Sequence, residues 1–453
     1  MADPALDLNT LLIHDRALIH PMQHPSSHEN PLIVKSGQGV WITTVDGKRY
    51  LDAGSGLWNV NVGYGRDELA DAAHAQMRTV AYANNYSGTS NMPAIELAHY
   101  LDVYEYEGLN TTFFTSGGTE ANESAFKTAR YYWKMLGKPE KFKVISRKDS
   151  FHGLSLATMS ATGISRLWPM FEPRTPGFLH GASPNPYRYT EPLKSGETIG
   201  QSAANSIERI ILQEGANTVA AVIAEPVQGA GGVIVPPDDY FPELRRICDQ
   251  HNVLLIADEV ITGFGRTGAN FALHRWNVTP DILSFAKGVT SGYLPLGGIQ
   301  ISDAIREAIE DADLEQAWLH GFTCSGHPAS CAVALENISI IEREKLVENA
   351  ESMGNYLLDG FDVLKTKFES VDYARGLGLM CALDFVKSRR SRDPDAELAA
   401  EVKRHFQKLG VLARNVGSSL VFSPPLVISK SEIKHLIKML EQSIEGALKL
   451  VKR

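Results

Sequence analysis

The 453-residue chain has little cysteine: four residues, Cys248, Cys324, Cys331 and Cys381, with no C-x-x-C pair. That excludes a disulfide framework and a thiolate zinc site, and it suits a reducing cytoplasm, the expected location. Long hydrophobic runs are also missing. The run Val219–Ala224 is typical, far below the ~18 apolar residues that span a bilayer, so membrane insertion is not expected. An excess of basic charge is absent. Lys and Arg number 44 against 53 Asp and Glu, a formal net charge of −9, which argues against a nucleic-acid footprint. Asp3, Asp7 and Asp15 precede the first arginine, Arg16. No charged segment therefore leads into an apolar one, and no signal peptide is expected. Internal repeats and low-complexity tracts are lacking too.

The chain has ample core material: 43% of it is hydrophobic. Its length implies two or three subdomains. Two β-prone runs around Asp46-Gly47 predict a hairpin over residues 40–52. Apolar periodicity predicts helices over 66–80 and 120–136, with a short strand at 110–114 between them. From there to about residue 300 the pattern alternates. Strands are expected at 142–146, 219–224, 253–257 and 281–286, with helices at 204–213 and 240–252. Near-continuous apolar strands separated by helices imply a mostly parallel sheet buried on both faces. The stretch 162–200, rich in Pro and Gly, reads as a long loop. One helix is expected over 328–351. Beyond it, 376–385 and 420–422 read as strands and 396–409 and 430–452 as helices, a smaller α+β domain against which the early hairpin packs. The expected division is 1–65, 66–327 and 328–453.

Chemistry concentrates where these strands end. Lys287 follows the buried run Ile282 to Ala286. A desolvated lysine loses its proton readily and becomes a nucleophile toward an aldehyde. Asp258 ends the strand before it, where a carboxylate serves as metal ligand, structural pair or fixed anion for a cationic ring. Glu225 ends another. Ligands of open parallel sheets sit at the carboxyl ends of strands, so Glu225, Asp258 and Lys287 reach one edge together. Ser116-Gly117-Gly118-Thr119 is a small-residue turn opening a helix, suited to a phosphate or to simple capping. It is not a Walker motif, since no Lys-Ser/Thr follows. Phe151 could stack on a flat ring or fill core, and His152 has no metal partner at useful spacing. His20, His24 and His28 fall at H-x-x-x-H spacing, but Pro21 and Pro25 interrupt them and no zinc-protease Glu follows. No metal site is expected.

With these residues in view the chain resembles the class III aminotransferases, pyridoxal-phosphate enzymes of fold type I, and within them the ω-transaminases (amine:pyruvate aminotransferases). The resemblance rests on seven stretches in family order: 56–65, 114–122, Phe151-His152-Gly153, 224–229, 257–268, Ala286-Lys287-Gly288 and 320–328. It implies a large domain with a mostly parallel seven-stranded sheet and a smaller α+β domain. It implies that Lys287 holds pyridoxal 5′-phosphate through a Schiff base and then shuttles the substrate proton. It implies that Asp258 pairs with the pyridine nitrogen, and that Ser116, Gly117, Gly118 and Thr119 take the phosphate. Phe151 and Val260 would flank the ring, with His152 and Glu225 close by. Thr323 would reach the phosphate of a second subunit, so a homodimer or tetramer is implied.

The substrates implied are a primary amine and a 2-oxo acid. Arg414 matches the family's mobile arginine, able to grip a carboxylate bidentately, with Glu225 expected to hold it at rest. Leu57 and Trp58 resemble the pocket walls, and Tyr86 is a further pocket candidate. Four departures stand out. Phe151 replaces a frequent Tyr, Gly117-Gly118-Thr119 replaces Ser-Gly-Ser, and Cys324 replaces Tyr. Ile261 replaces the Gln common in ornithine, acetylornithine and 4-aminobutyrate transaminases, which favours the ω-transaminase branch. The alternatives are a transaminase using 2-oxoglutarate, an aminomutase or decarboxylase on the same scaffold, and a binding protein that has lost the chemistry.

Overall fold

A computed structural model describes residues 7–27, 31–86, 88–104 and 106–451. Its first strands are β1 (Val34–Gln38), β2 (Trp41–Thr44) and β3 (Arg49–Asp52), an antiparallel meander. The expected turn joins β2 and β3, with Gly47 at φ +80°, a conformation that costs glycine nothing.

The seven strands of the main sheet are β4 (Thr111–Thr115), β5 (Lys143–Arg147), β6 (Phe178–Gly181), β7 (Val219–Ala224), β8 (Leu254–Asp258), β9 (Ile282–Phe285) and β10 (Gly297–Ile301). They lie in the order β4-β10-β9-β8-β7-β5-β6. Only β10 runs antiparallel to its neighbours, β4 and β9. The fold is α/β, as expected. Alternate residues explain the layers. Leu254 and Ile256 pack with Ala121, Ala125 and Trp133 of the Gly118–Met135 helix. Leu255 and Ala257 point the other way, into the cluster holding Ile207, Tyr240 and Leu244 of the Ile199–Glu214 and Tyr240–Gln250 helices.

Two strands of this sheet escape the sequence reading. β6 lies inside the expected loop 162–200. β10 begins with Gly297-Gly298, which depress strand propensity. The glycines are there for space: a Cβ on Gly297 would lie 2.9 Å from the Gly117 carbonyl carbon and from the Phe285 oxygen. The helices Met92–Tyr104 and Asp303–Glu310 were also not expected.

The single helix expected over 328–351 is two, Pro328–Arg343 and Leu346–Lys367. Lys345 sits between them in the left-handed region at φ +51°, and the turn carries Leu346 into the core. Next come β11 (Val371–Leu377), β12 (Met380–Phe385), β13 (Val411–Leu412), β14 (Arg414–Val416) and β15 (Ser419–Phe422). Four form the sheet β11-β12-β15-β14. The fifth, β13, pairs in parallel with β3, so the C-terminal region completes the N-terminal meander. Trp41 Nε1 also donates to Glu432 Oε1 at 2.9 Å, on the last helix, Lys430–Leu450.

His28 lies outside the described residues. His20 Nε2 meets Asp15 Oδ2 at 2.9 Å and His24 Nδ1 meets Ser26 Oγ at 2.7 Å. Among the described residues no group of three or more His, Cys, Asp or Glu is arranged to hold a metal. No described helix is long and apolar enough to cross a membrane.

Candidate active site

The carboxyl ends of β7, β8 and β9 open on a cavity of about 470 Å³. Lys287 lines it, one residue past Ala286, with Asp258 and Glu225 from the neighbouring strand ends. Ser116, Gly117, Gly118, Thr119, Phe151, His152 and Val260 line it as well. The three strands therefore deliver their charged residues to one place, as their apolar runs implied.

Lys287 is half-buried in the cavity wall. Burial pushes its pKa down to about 8; Asp258 and Glu225 pull it up, and Arg414 pushes it down further. A lysine in that range is neutral often enough to attack a carbonyl near neutral pH. Its backbone lies in the left-handed region at φ +45°, uncommon for a residue with a Cβ.

Asp258 is 3% exposed. Its Oδ2 accepts from Asn122 Nδ2 at 2.8 Å and pairs with His152 Nδ1 at 2.7 Å. Its Oδ1 takes only the Val260 N–H, at 3.2 Å. One oxygen is thus committed to the protein, and the other keeps capacity for a donor in the cavity.

The turn before the Gly118–Met135 helix is cradle-shaped. Gly117 provides no side-chain cap, and a Cβ on it would meet nothing within 4 Å. The N–H groups of the first helical turn therefore face open space with the positive end of the helix dipole behind them. The Ser116 N–H is engaged elsewhere, by Glu120 Oε2 at 2.7 Å. Gly118 is pressed on Val260, whose Cγ1 would lie 2.7 Å from an added Cβ.

Glu225 does not hold Arg414, contrary to expectation. Its Oε1 accepts from the Phe151 N–H and its Oε2 from the Gly229 N–H, both at 2.9 Å. Those two backbone bonds hold the carboxylate in place against the Phe151 and Gly229 segments. Burial raises its pKa, with His152 opposing. Arg414 starts β14 opposite Val421. By surface area it is exposed, yet enough protein surrounds the guanidinium for burial alone to lower its pKa.

Of four other expected residues, Leu57 stays with the cavity, and Trp58, Tyr86 and Thr323 do not line it. Leu57 is on the cavity lip, 58% exposed. Trp58 points away, into an apolar cluster with Val227, Met380 and Val421, and does not line the cavity. Gly56 and Trp58, at φ +63° and +64°, turn the backbone between the two. Tyr86 lies against Gly321, and Tyr82 Oη donates to the Thr323 oxygen at 2.8 Å. Tyr86 and Thr323 thus share one exposed surface outside the cavity of this chain. The sequence reading assigned no role to Asn122, Asn59, Thr290 or Leu294, which line the cavity. Asn122 ended a matched stretch, and its position one turn into the helix was the available signal.

The family model for class III aminotransferases matches residues 22–444. The chain belongs to the class III aminotransferases. It is similar to the putrescine–pyruvate aminotransferase of Pseudomonas aeruginosa, 41% identical over 91% of this chain and 90% of that protein. Among solved structures it resembles an (S)-enantioselective ω-transaminase from Thermomicrobium roseum, 42% identical with a TM-score of 0.94, covering 98% of this chain and 100% of that one. A transaminase from the marine bacterium Virgibacillus matches at 42% identity and a TM-score of 0.92, with the same coverage. As a class III aminotransferase the chain is a transaminase of fold type I, a pyridoxal-phosphate-dependent family. The residues present fit that cofactor: a depressed lysine for an aldehyde, a half-used carboxylate for a pyridinium, and an uncapped helix start for a phosphate.

Proposed function

We propose that this aminotransferase moves an amino group from a primary amine or ω-amino acid to pyruvate, using pyridoxal 5′-phosphate held at Lys287. The observation that carries the reading is Lys287, with its lowered pKa, in one cavity with Asp258 and the uncapped Gly118 helix start. When bound, the cofactor supplies an aldehyde for the amine and a ring that accepts electrons. Gly117, Gly118 and Thr119 hold the phosphate through backbone N–H groups, with Ser116 beside them. Phe151 and Val260, both on the cavity wall, would flank the ring, and Asp258 Oδ1 would accept from its protonated nitrogen. Lys287 Nζ, neutral often enough near physiological pH, would be the group placed to take up and release the substrate proton. His152 and Glu225 fix the surroundings of Asp258 and Phe151.

Pyruvate is favoured by the cation count. Among the described residues no arginine and no second lysine lines the cavity, and Arg414, close enough to Lys287 to lower its pKa, is one grip for one carboxylate. A second carboxylate, as in 2-oxoglutarate, finds no further cation. Leu57, Leu154 and Ile261 make the amine side apolar. The 41% identical putrescine–pyruvate aminotransferase supports the same pair.

The enzyme works as a homodimer in this reading, with Thr323 serving the site of a second copy. The exposed Leu314 and Leu319 near it support a covered surface. Residues 1–65 act with 328–453 as one unit around the β3–β13 pairing, and 66–327 hold the cofactor. Free Cys248, Cys324, Cys331 and Cys381 suit the cytoplasm. Steady-state kcat/KM over a panel of primary amines, with pyruvate against 2-oxoglutarate, tests the substrate assignment; equal use of 2-oxoglutarate would overturn it. Stoichiometric CO2 release in the amine half-reaction would replace transamination by decarboxylation. Sedimentation gives the assembly, and a monomer with full activity would remove Thr323 from the site.

A further inference from the structure

We infer that Asn122 is a positioning residue that locks Asp258 to the helix start forming the phosphate cradle, so that both ends of the cofactor are held by one rigid unit. The inference rests on the cofactor reading above. Asn122 is 1% exposed and lies on the first turns of the Gly118–Met135 helix. Its amide uses both donors. Nδ2 gives one hydrogen to Asp258 Oδ2 and one to the His152 carbonyl oxygen, each at 2.8 Å. Both partners are acceptors only, which fixes the amide orientation: turned over, Oδ1 would face two oxygens. The Oδ1 that results is buried without a partner. The donor side thus joins two acceptors that no apolar residue could join.

The same geometry assigns the His152 proton. Asp258 Oδ2 accepts from Asn122 and faces His152 Nδ1 at 2.7 Å, so the hydrogen sits on Nδ1. Nε2 has no partner either. Two donors therefore converge on Oδ2, and Asn122 holds the residue bearing the second one through its backbone. Asp258 cannot rotate without breaking both bonds. Its Oδ1 is left aimed by default at the cavity, at a distance from the Gly117–Thr119 N–H groups set by the helix itself. Removing Asn122 frees the carboxylate to rotate and uncouples the two ends.

The test uses purified wild-type, Asn122→Ala and Asn122→Asp proteins, stripped of cofactor and titrated with pyridoxal phosphate. Far-UV circular dichroism confirms that each is folded. The readouts are the dissociation constant and the pH dependence of the visible absorbance of the bound cofactor. Loss of one charge-assisted hydrogen bond in a buried site predicts affinity about 10- to 100-fold weaker for Asn122→Ala, with the absorbance titration displaced because Asp258 no longer fixes the ring proton. Asn122→Asp keeps the volume and replaces the donor by an acceptor, so its affinity should fall further than that of Asn122→Ala near neutral pH. A second carboxylate facing Asp258 binds the cofactor worse as pH rises, and recovers in part at low pH where the pair shares a proton. A wild type that fails to bind pyridoxal phosphate overturns the cofactor reading and this inference with it. A wild type that binds, with both variants matching its affinity and pH profile, overturns the role of Asn122 alone.

Discussion

Lys287 should capture pyridoxal phosphate with a pH midpoint near 8. Burial lowers its pKa from 10.5 to about 8. At pH 7.5 roughly a quarter of the molecules then carry a neutral ε-amine, against roughly one in a thousand for an ordinary lysine. The nucleophilic form is enriched on the order of 200-fold. The assay is stopped-flow absorbance on the cofactor-free protein, following capture from pH 6 to 10. Two substitutions test the cause and move the midpoint in opposite directions. Asp258→Asn removes the charge that raises the pKa most, so the midpoint falls; Arg414→Met removes the cation that lowers it, so the midpoint rises. Each shift is on the order of half a unit to one unit. Stability follows the same linkage. Between pH about 8 and about 10.5 the unfolded chain holds this proton more tightly than the folded one. Cofactor-free protein therefore gains stability as pH rises through that window, by about 2–3 kcal/mol after allowance for the open cavity. Lys287→Met should lose that gain. A capture midpoint above pH 10, or parallel shifts in the two variants, would refute the argument.

Arg414→Ala should raise KM for pyruvate about tenfold or more while leaving KM for an amine without a carboxylate within about twofold; equal changes in steady-state assays would remove Arg414 from carboxylate recognition. Gly297→Ala places a Cβ 2.9 Å from the Gly117 carbonyl carbon, so the phosphate turn must move, and equilibrium dialysis should show pyridoxal phosphate affinity falling by about tenfold. Unchanged affinity would mean that the turn is pliable. Asn337→Ala removes donors at 2.9 and 3.0 Å to the Gly288 and Val289 oxygens and should cost about 1–3 kcal/mol in denaturant unfolding, with slower cofactor capture by Lys287; a stable variant with wild-type capture would contradict this.

What could be read in the sequence followed chemical uniformity. β7 is apolar at every position and buried at every position, so a period-free hydrophobic run of strand length located it to the residue. β8 and β9 were located to within one residue at each end, and Asp258, Glu225 and Lys287 came with these strands because a charge after such a run lies at a strand end. β10 failed for the opposite reason. Gly297 and Gly298 are dictated by close approach to Gly117, Phe285 and Phe113, and two glycines hide a strand from any propensity argument. The break at Lys345 was hidden because a left-handed lysine carries no local signature. In the site, the Glu225–Arg414 pairing, expected from the family resemblance, is not formed. The Phe151 and Gly229 N–H groups claim both carboxylate oxygens first, and backbone donors are invisible in a list of side chains. Trp58 failed through the backbone. Leu57 and Trp58 are adjacent, yet the positive φ at Gly56 and Trp58 turns one to the cavity and the other into the core.

Lys287 shows how much of a catalytic residue lies outside its own chemistry. A non-glycine residue at φ +45° costs on the order of 1–2 kcal/mol, and it persists only where the surroundings over-determine it. Those surroundings come from distant parts of the chain. Asn337, in the Pro328–Arg343 helix and fully buried, binds the two carbonyls that follow Lys287. Asn61 crowds Gly288 so closely that an added Cβ would lie 2.6 Å from its Nδ2. Asn61 Nδ2 itself donates to the Phe264 oxygen at 2.9 Å, in the loop after β8. Asn61, Phe264 and Asn337 therefore clamp one strained turn from three elements. A lysine in an ordinary helical turn would be free to follow its hydration outward. Here the clamp forces the side chain to start its path at the cavity floor, and the same enclosure strips its water and lowers its pKa. Position and reactivity are one consequence of the same packing, so a substitution that loosens the turn should weaken both together.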